Sequence, residues 1–200
     1  MKKNEDPKRE AILASAFTQF SRYGFRRTSM EDIAKEAGTS RASLYSYFAN
    51  KEEIFRCLSA SLHEQTLGDA ESHLKGTSSQ SGARADPAER VEAALLARLG
   101  RFHQVVTQSP HGNEISDENS QLCGDLVRDS QSRFRGMLAG AMRSAVRAGE
   151  IELKGAGLTA ESASEIIHLC ALGLKQGAAD SATLERRIHR FVQVFFAGLR

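Results

Sequence analysis

The chain has 200 residues, a length that suits one large or two small globular domains. Its formal net charge is only +2, so overall charge does not indicate nucleic-acid binding. No stretch approaches the roughly 18 apolar residues of a membrane span, which argues against an integral membrane protein. The three cysteines, Cys57, Cys123 and Cys170, are far apart and odd in number, which argues against a disulfide framework and fits a reducing cytosol.

The N-terminal end is charged. Residues 1–10 read MKKNEDPKRE, with no apolar run after them, so no secretory signal is expected and we predict a cytoplasmic protein. Residues 1–56 carry 11 Lys and Arg against 8 Asp and Glu. This asymmetry is mild and supports no conclusion alone.

Apolar spacing and capping residues predict four helices in the N-terminal part. In chain order these are a helix from about Pro7 to Tyr23, ended by Gly24; a short helix capped by Thr28 or Ser29 and stopped by Gly38; a third, capped by Ser40, through about Phe48; and a fourth, capped by Asn50, from Lys51.

The rest of the sequence also predicts helices. After a Gly- and Ser-rich loop over residues 75–87, the expected helices are one capped by Asp86 that runs to about Gln108; a long one from about Asp117 to Ala148, closed by Gly149; one capped by Thr159 that runs to about Gly177; and a last one capped by Ser181. No alternating strand pattern competes with these periods, so the fold class is all-α.

Residues 30–48, MEDIAKEAGTSRASLYSYF, have the spacing of a helix-turn-helix. Two short helices that cross closely need a small residue inside the first, here Ala34. The turn needs a residue that tolerates positive φ, here Gly38. The second helix needs an apolar anchor, here Leu44.

The second helix would then direct short, polar or flat side chains outward, as a major groove requires. The expected DNA-contacting residues are Thr39, Ser40, Arg41, Ala42, Ser43, Tyr45, Ser46 and Tyr47. The hydroxyls of Thr28, Ser29 and Tyr47 and the ammonium of Lys51 suit contacts to phosphate. Arg41 could read guanine or pair with phosphate.

Other interpretations remain open at this stage. Any all-α protein contains short amphipathic helices, so the motif could be a fold element of a protein-interaction module. An enzyme is not predicted, because the chain has no nucleophile elbow, phosphate loop or HExxH motif. Neither catalytic residues nor a cofactor are therefore expected. The six histidines show no metal-ligand spacing, so no metal site is expected: His63, His73, His103, His111, His168 and His189.

The segment Tyr23–Phe55 resembles the DNA-binding domain of the tetracycline-repressor-like (TetR) family. The matching residues are Gly24, Thr28, Ile33-Ala34, Ala37-Gly38, Ser40, Leu44-Tyr45, Tyr47-Phe48 and Lys51-Glu52. Thr39 stands where the family usually has Val, and Arg41-Ala42-Ser43 where small pairs are common. Both departures concern which operator is read.

The resemblance implies an N-terminal helix-turn-helix domain over residues 1–50 and a helical effector-binding and dimerisation domain over residues 51–200. It implies a homodimer that binds a palindromic operator, usually as a repressor, although activation would need only a different operator position. The last two helices would form the dimer contact, through Ile166, Ile167, Cys170, Leu184, Ile188, Phe191 and Phe195. Alternatively, such residues only fill the core of the monomer.

The resemblance also implies a small-molecule effector among the middle helices. Ten Phe and no Trp make an apolar or aromatic effector plausible, and no charged cluster points to a particular one. The candidate pocket residues, each of which could instead be plain core, are Leu99, Phe102, His103, Val106, Leu126, Phe134, Met137 and His168. Cys123 and Cys170 could form a redox switch or be inert thiols.

Overall fold

The computed structural model describes residues 6–76 and 85–199, and within these ranges all regular structure is α-helical. The helices are α1 (Pro7–Tyr23), α2 (Met30–Glu36), α3 (Arg41–Tyr45), α4 (Lys51–Leu74), α5 (Pro87–Gln108), α6 (Gly112–Leu122), α7 (Gly124–Arg147), α8 (Ala160–Lys175) and α9 (Ser181–Ala197). The predicted all-α class is confirmed. None of these helices is both long and apolar enough to cross a bilayer.

The single helix expected from Asp117 to Ala148 is wrong, because two helices meet at Cys123. The backbone of Cys123 leaves the helical region, with φ −123° and ψ 15°. Its amide donates to Asn119 O (3.0 Å) at the end of α6, and its carbonyl accepts from Val127 N (2.9 Å) at the start of α7. The side chain of Cys123 is fully buried, and it belongs to the hydrophobic core formed by α1 to α4 and α6.

Helix starts follow the capping residues closely. Ser29 forms a capping box with Asp32, and Asn50 Oδ1 accepts from Glu53 N (2.8 Å). The last helix is capped by Asp180, which accepts from Thr183 N (2.7 Å), and not by Ser181, which is its first residue. Most of the predicted 75–87 loop, residues 77–84, lies outside the described residues.

The chain divides into two compact units. Unit 1 contains Met1–His63 and Val105–Val127, and therefore more than the predicted 1–50 domain. Three aromatic rings lie together in its core. The ring centroid of Phe20 lies 5.3 Å from that of Phe25 and 5.8 Å from that of Phe55. Other buried members of this core are Ile12, Leu13, Ala16, Met30, Ile33, Ala34, Leu44, Phe48, Ile54, Ile115 and Cys123.

Unit 2 contains Glu64–Gln104 and Arg128–Arg200. Its core takes one apolar face from each of its helices, including α8 and α9, which pack together. The largest fully buried side chains of this unit are Phe134, Phe196, Leu67, Leu95, Leu138, Met142 and Ile167.

Replacement of Phe20 by Ala should destabilise the protein by about 3–5 kcal/mol, because a buried ring with two aromatic neighbours is lost and a cavity remains. Phe17→Ala, on the same helix, should change the free energy of unfolding by less than about 0.5 kcal/mol, since Phe17 is 45% exposed. Denaturant unfolding followed by circular dichroism at equal protein concentration checks both. Equal effects of the two substitutions would contradict this description of the core.

Candidate nucleic-acid interface

A glycine turn joins α2 to α3. Gly38 has φ +61°, and a Cβ added there would meet nothing within 4 Å, so the backbone conformation alone favours glycine. Thr39 N donates to Ala34 O (3.0 Å), and Gly38 N donates to Lys35 O (3.2 Å). This is the Schellman pattern of a helix end, and it reverses the chain within two residues.

The five-residue helix α3 is held by one buried side chain and one cap. Leu44 is fully buried, and Ser40 Oγ accepts from Ser43 N (3.1 Å). Phe48, just after the helix, is also buried. The opposite side of α3 is therefore left to solvent, with Arg41 and Tyr45 among its exposed side chains.

The exposed surface of α3 is partly ordered by Arg41. Its guanidinium carbon lies 5.5 Å from the ring centroid of Tyr45, a cation–π contact. One Glu31 carboxylate oxygen lies 4.0 Å from Arg41 Nη1, with both side chains largely exposed, so this ion pair is weak. The hydrogen bond with Tyr45 raises the pKa of Arg41, which keeps its positive charge.

The predicted DNA-contacting residues differ in accessibility. Six of them are exposed: Ser29, Ser40, Arg41, Ala42, Tyr45 and Ser46. Four are partly buried: Thr39, Ser43, Tyr47 and Lys51. Thr28 is buried.

Thr28 and Lys51 have structural contacts that the sequence analysis did not foresee. Thr28 is 2% exposed, and its hydroxyl donates to Gly24 O (2.7 Å). Lys51 Nζ donates to the carbonyls of Phe25 (2.8 Å), Arg26 (3.3 Å) and Thr28 (3.0 Å). Both side chains therefore hold the turn between α1 and α2, and the phosphate contacts expected of them stay a prediction.

Tyr47 also has a partner within the protein. A hydrogen bond between its hydroxyl and the Asp6 carboxylate raises the pKa of Tyr47. Asp6 caps α1, accepting from Lys8 N (2.9 Å). Tyr47 thus links the end of the helix-turn-helix to the start of α1.

Helix α6 braces the same turn, through two carboxylates absent from the predicted site. Arg26 N donates to Glu114 Oε1 (2.7 Å), and Arg26 Nε lies 3.0 Å from Glu118 Oε1. Gly24 has φ +85°, and a Cβ there would lie 2.5 Å from Glu114 Oε2. No local signal marks the start of α6, because His111 makes no side-chain capping bond.

The predicted effector-pocket residues fall in both units. Val106 and Leu126 belong to unit 1. The other six belong to unit 2, where Leu99, His103, Phe134 and His168 are buried and Phe102 and Met137 are partly buried. Among the described residues, no group of three or more His, Cys, Asp or Glu side chains could hold a metal ion.

The predicted dimer residues divide into two groups. Ile167, Leu184 and Ile188 are at most 1% exposed, because the inward faces of α8 and α9 belong to the core of unit 2. This burial agrees with the alternative that these three residues fill the core of the monomer, and their contact with a partner stays a prediction. The remaining four are accessible: Ile166 and Cys170 are exposed, and Phe191 and Phe195 are partly buried.

The glycine turn at Gly38, with Leu44 buried beneath an exposed short helix, is the arrangement of a DNA-binding helix-turn-helix. The family model "Bacterial regulatory proteins, tetR family" matches residues 12–58. The regulator TtgR of Pseudomonas putida is 30% identical over 151 residues, which cover 72% of this chain and 68% of TtgR. The chain belongs to the TetR family of transcriptional regulators.

Two further comparisons agree with this family assignment. The regulator YfiR of Bacillus subtilis is 44% identical over 55 residues, 28% of this chain and 27% of YfiR. The complex of SmeT with triclosan superposes with a TM-score of 0.69 at 19% identity, covering 97% of this chain and 92% of that one; another structure describes SmeT as the repressor of a Stenotrophomonas maltophilia multidrug efflux pump. At this identity the SmeT likeness supports the fold.

Thr28→Val should lower the free energy of unfolding by about 1–3 kcal/mol, because it removes the buried donor to Gly24 O while it keeps the side-chain shape. Thr18→Val is the matched control: its hydroxyl donates to Ala14 O at an exposed site, so we expect a change below about 0.5 kcal/mol. Denaturant unfolding measures both. If Thr28→Val left the free energy of unfolding unchanged and weakened only DNA binding, the result would support a phosphate contact of Thr28 instead of a structural role.

Proposed function

We propose that the protein is a repressor that binds a palindromic operator as a homodimer and is released by a small-molecule effector. The observation that carries the proposal is the placement of α3: Leu44 anchors it in the core, and Arg41, Ala42, Tyr45 and Ser46 remain exposed. A B-DNA major groove admits one α-helix, and base edges are read there by hydrogen bonds and methyl contacts.

Arg41 is the residue best suited to read a base. Its guanidinium can donate two parallel hydrogen bonds to guanine O6 and N7. The stacking on Tyr45 restricts its rotamers before binding, which lowers the entropy lost on contact. The small side chains of Ala42 and Ser46 leave room for the helix to approach the base edges.

Thr28, Tyr47 and Lys51 support DNA binding indirectly in this proposal. Their hydrogen bonds fix the turn before α2 and the end of α3, so their loss would shift the recognition helix instead of removing a phosphate contact. Ser29 stays a proposed phosphate partner, and we propose Thr39 and Ser40 as two more, because these hydroxyls lie at or near the solvent surface beside α2 and α3.

An exposed apolar surface on α8 and α9 supports a homodimer. Val194 is 77% exposed, Leu169 59% and Ile166 38%, and Cys170 is exposed. The rings of Phe191 and Phe195 contact each other on one face of α9, with centroids 5.7 Å apart and planes tilted by 39°. Large apolar side chains grouped in this way favour burial against a second subunit, and two-fold symmetry then gives two recognition helices for two half-sites.

Effector control requires two shapes of the dimer. The effector releases DNA only if it binds more tightly to the shape whose recognition helices do not match successive major grooves. Unit 2 is the proposed effector-binding unit, and the binding of triclosan by SmeT supports a small organic effector. We propose repression and not activation of transcription, because SmeT is described as a repressor. We expect the regulator to act in the cytoplasm.

Selection of binding sites from random duplexes at physiological salt tests the proposal. The expected result is a palindrome with half-sites centred about one helical turn apart, bound at least about 10³-fold more tightly than a scrambled duplex. Failure to enrich any motif, with equal affinity for both duplexes, would overturn the proposal.

Arg41→Ala should relax the preference at one base pair of each half-site, with a loss of about 1–3 kcal/mol against the preferred base. Arg41→Lys is the matched control, because it keeps the charge and loses the planar fork. It should retain affinity for scrambled DNA and still lose the base preference. Fluorescence anisotropy with single-base operator variants measures this, and an unchanged preference in both variants would contradict base reading by Arg41.

Leu169→Glu should convert the dimer into a monomer, since a charge would be buried without a partner in the proposed interface. Val146→Glu is the control, because Val146 is 41% exposed on α7, outside the α8–α9 surface. Light scattering after size-exclusion chromatography gives the mass. A dimer that persisted in Leu169→Glu would rule out this surface as the interface.

A further inference from the structure

A groove of about 640 Å³ lies between α1 and the exposed side of α2, within unit 1. Polar, charged and tyrosine side chains from α1, the following turn and α2 line it: Gln19, Tyr23, Arg27, Asp32, Lys35 and Glu36. Sites for small organic molecules are mostly apolar and enclose their ligand. A groove with these walls suits an extended, charged partner instead.

The two carboxylates of the groove have donors within the protein. Asp32 Oδ2 accepts from Ser29 N (2.9 Å) and Ser29 Oγ (2.6 Å) in the capping box of α2. These bonds from the side chain and backbone of Ser29 lower the pKa of Asp32. Glu36 Oε2 accepts from Gln19 Nε2 (3.1 Å), and Gln19 is only 9% exposed. Both acids therefore serve the local fold: Asp32 starts α2, and Glu36 ties α2 to α1.

The two cations of the groove are placed differently. Arg27 and Lys35 are exposed, and neither side chain has a hydrogen bond or ion pair in the part of the chain that the structure describes. The neighbouring Arg26, by contrast, is paired with Glu118. An exposed cation without such a partner adds little to the stability of the fold. Its charge is available to an anion outside the protein.

The backbone is fixed on both sides of Arg27. Arg26 N donates to Glu114 Oε1 (2.7 Å), and Thr28 O accepts from Lys51 Nζ (3.0 Å). The side chain of Arg27 thus projects from a turn that polar contacts hold in place. A cation on a rigid backbone loses less conformational entropy when it binds than one on a mobile loop.

The groove adjoins the proposed DNA-binding surface through α2. In a helix-turn-helix the second helix enters the major groove, and the first crosses the sugar–phosphate backbone. In the proposed function α3 takes the second role, which places the exposed side of α2 against the backbone. Arg27 precedes the Ser29 cap by two residues, and Lys35 lies in the last turn of α2. Both cations therefore lie beside the surface that meets DNA.

We propose that Arg27 and Lys35 bind phosphates of the operator backbone beside each half-site, so that the groove between α1 and α2 belongs to the DNA interface. This proposal rests on the proposed function and deepens it, because it adds two phosphate contacts per subunit. Such contacts fix the register of the recognition helix and read no bases. A point charge is sufficient for them, whereas guanine reading by Arg41 needs the planar fork.

The salt dependence of DNA binding counts these contacts. Each neutralised phosphate contributes about 0.9 to the slope of the logarithm of the binding constant against that of the salt concentration. In a homodimer, Arg27→Gln and Lys35→Gln should therefore each make this slope less steep by about 2 and weaken binding about tenfold at physiological salt. The selected operator and a scrambled duplex should lose affinity equally. Fluorescence anisotropy at several salt concentrations measures the slopes.

Two controls distinguish a contact from a general effect of charge. Arg27→Lys keeps the charge and should bind like the wild type. Arg22→Gln removes the same charge from an exposed arginine in the last turn of α1, outside the groove, and should leave the slope unchanged. Circular dichroism verifies folding of each variant. A wild-type slope in Arg27→Gln and Lys35→Gln, or an equal change in Arg22→Gln, would overturn the proposal.

Removal of single charges from the DNA locates the contacts. A methylphosphonate at one position of the operator is neutral, and the wild type should bind the duplex more weakly where a contacted phosphate is replaced. At one such position in each half-site the loss should be absent in Arg27→Gln, because the contact is already missing. Additive losses at every position, as for independent sites, would overturn the assignment of Arg27 to a phosphate.

The wild-type protein separates this proposal from the proposed function. Specific operator binding with unchanged slopes in both groove variants means that the groove proposal is wrong and the regulator proposal stands. If no operator is selected, the regulator proposal fails. A less steep slope in Arg27→Gln on a scrambled duplex would then still support the groove as a surface for the DNA backbone.

Discussion

The proposed DNA-binding surface depends on the burial of Leu44 beneath a helix of only five residues. A helix of that length is not stable alone in water, because its nucleation cost exceeds what one turn of hydrogen bonds returns. The core of unit 1 and the Ser40 cap hold it instead. Since tertiary packing supplies the stability, the outer residues of α3 need not serve the fold and are available for recognition. The positive-φ Gly38 gives the chain the reversal that this packing needs.

The turn before α2 is held from several sides by polar contacts. Lys51 donates to three of its carbonyls, Thr28 closes it from within, and the carboxylates of Glu114 and Glu118 contact Arg26. Lys51 and Thr28 resemble phosphate-binding residues in type, yet here they fix the backbone of the turn. A recognition helix can read bases only if its position varies by much less than a base-pair step, so rigid support and base reading belong to one arrangement.

Sequence reasoning recovered the features that local chemistry determines. The capping residues Ser29 and Ser40, the turn at Gly38 and the anchor Leu44 each follow from neighbours within a few positions. Features set by distant contacts were missed. Apolar periodicity runs on through Cys123, so the break between α6 and α7 was missed, although Gly124 follows Cys123 directly. Periodicity identified the apolar residues of α8 and α9, but Ile167 and Ile188 face inward while Leu169 and Val194 face outward, and this depends on the packing between helices.

In the proposed function, the exposed side of α3 contacts base pairs. Photo-cross-linking tests it most directly, with p-benzoylphenylalanine in place of Tyr45 in the full-length protein bound to its selected operator, and the same replacement at Val194 as the control. We expect adducts from position 45 at one base position in each half-site and none from position 194. No DNA adduct from position 45, or adducts spread evenly along any duplex, would contradict it.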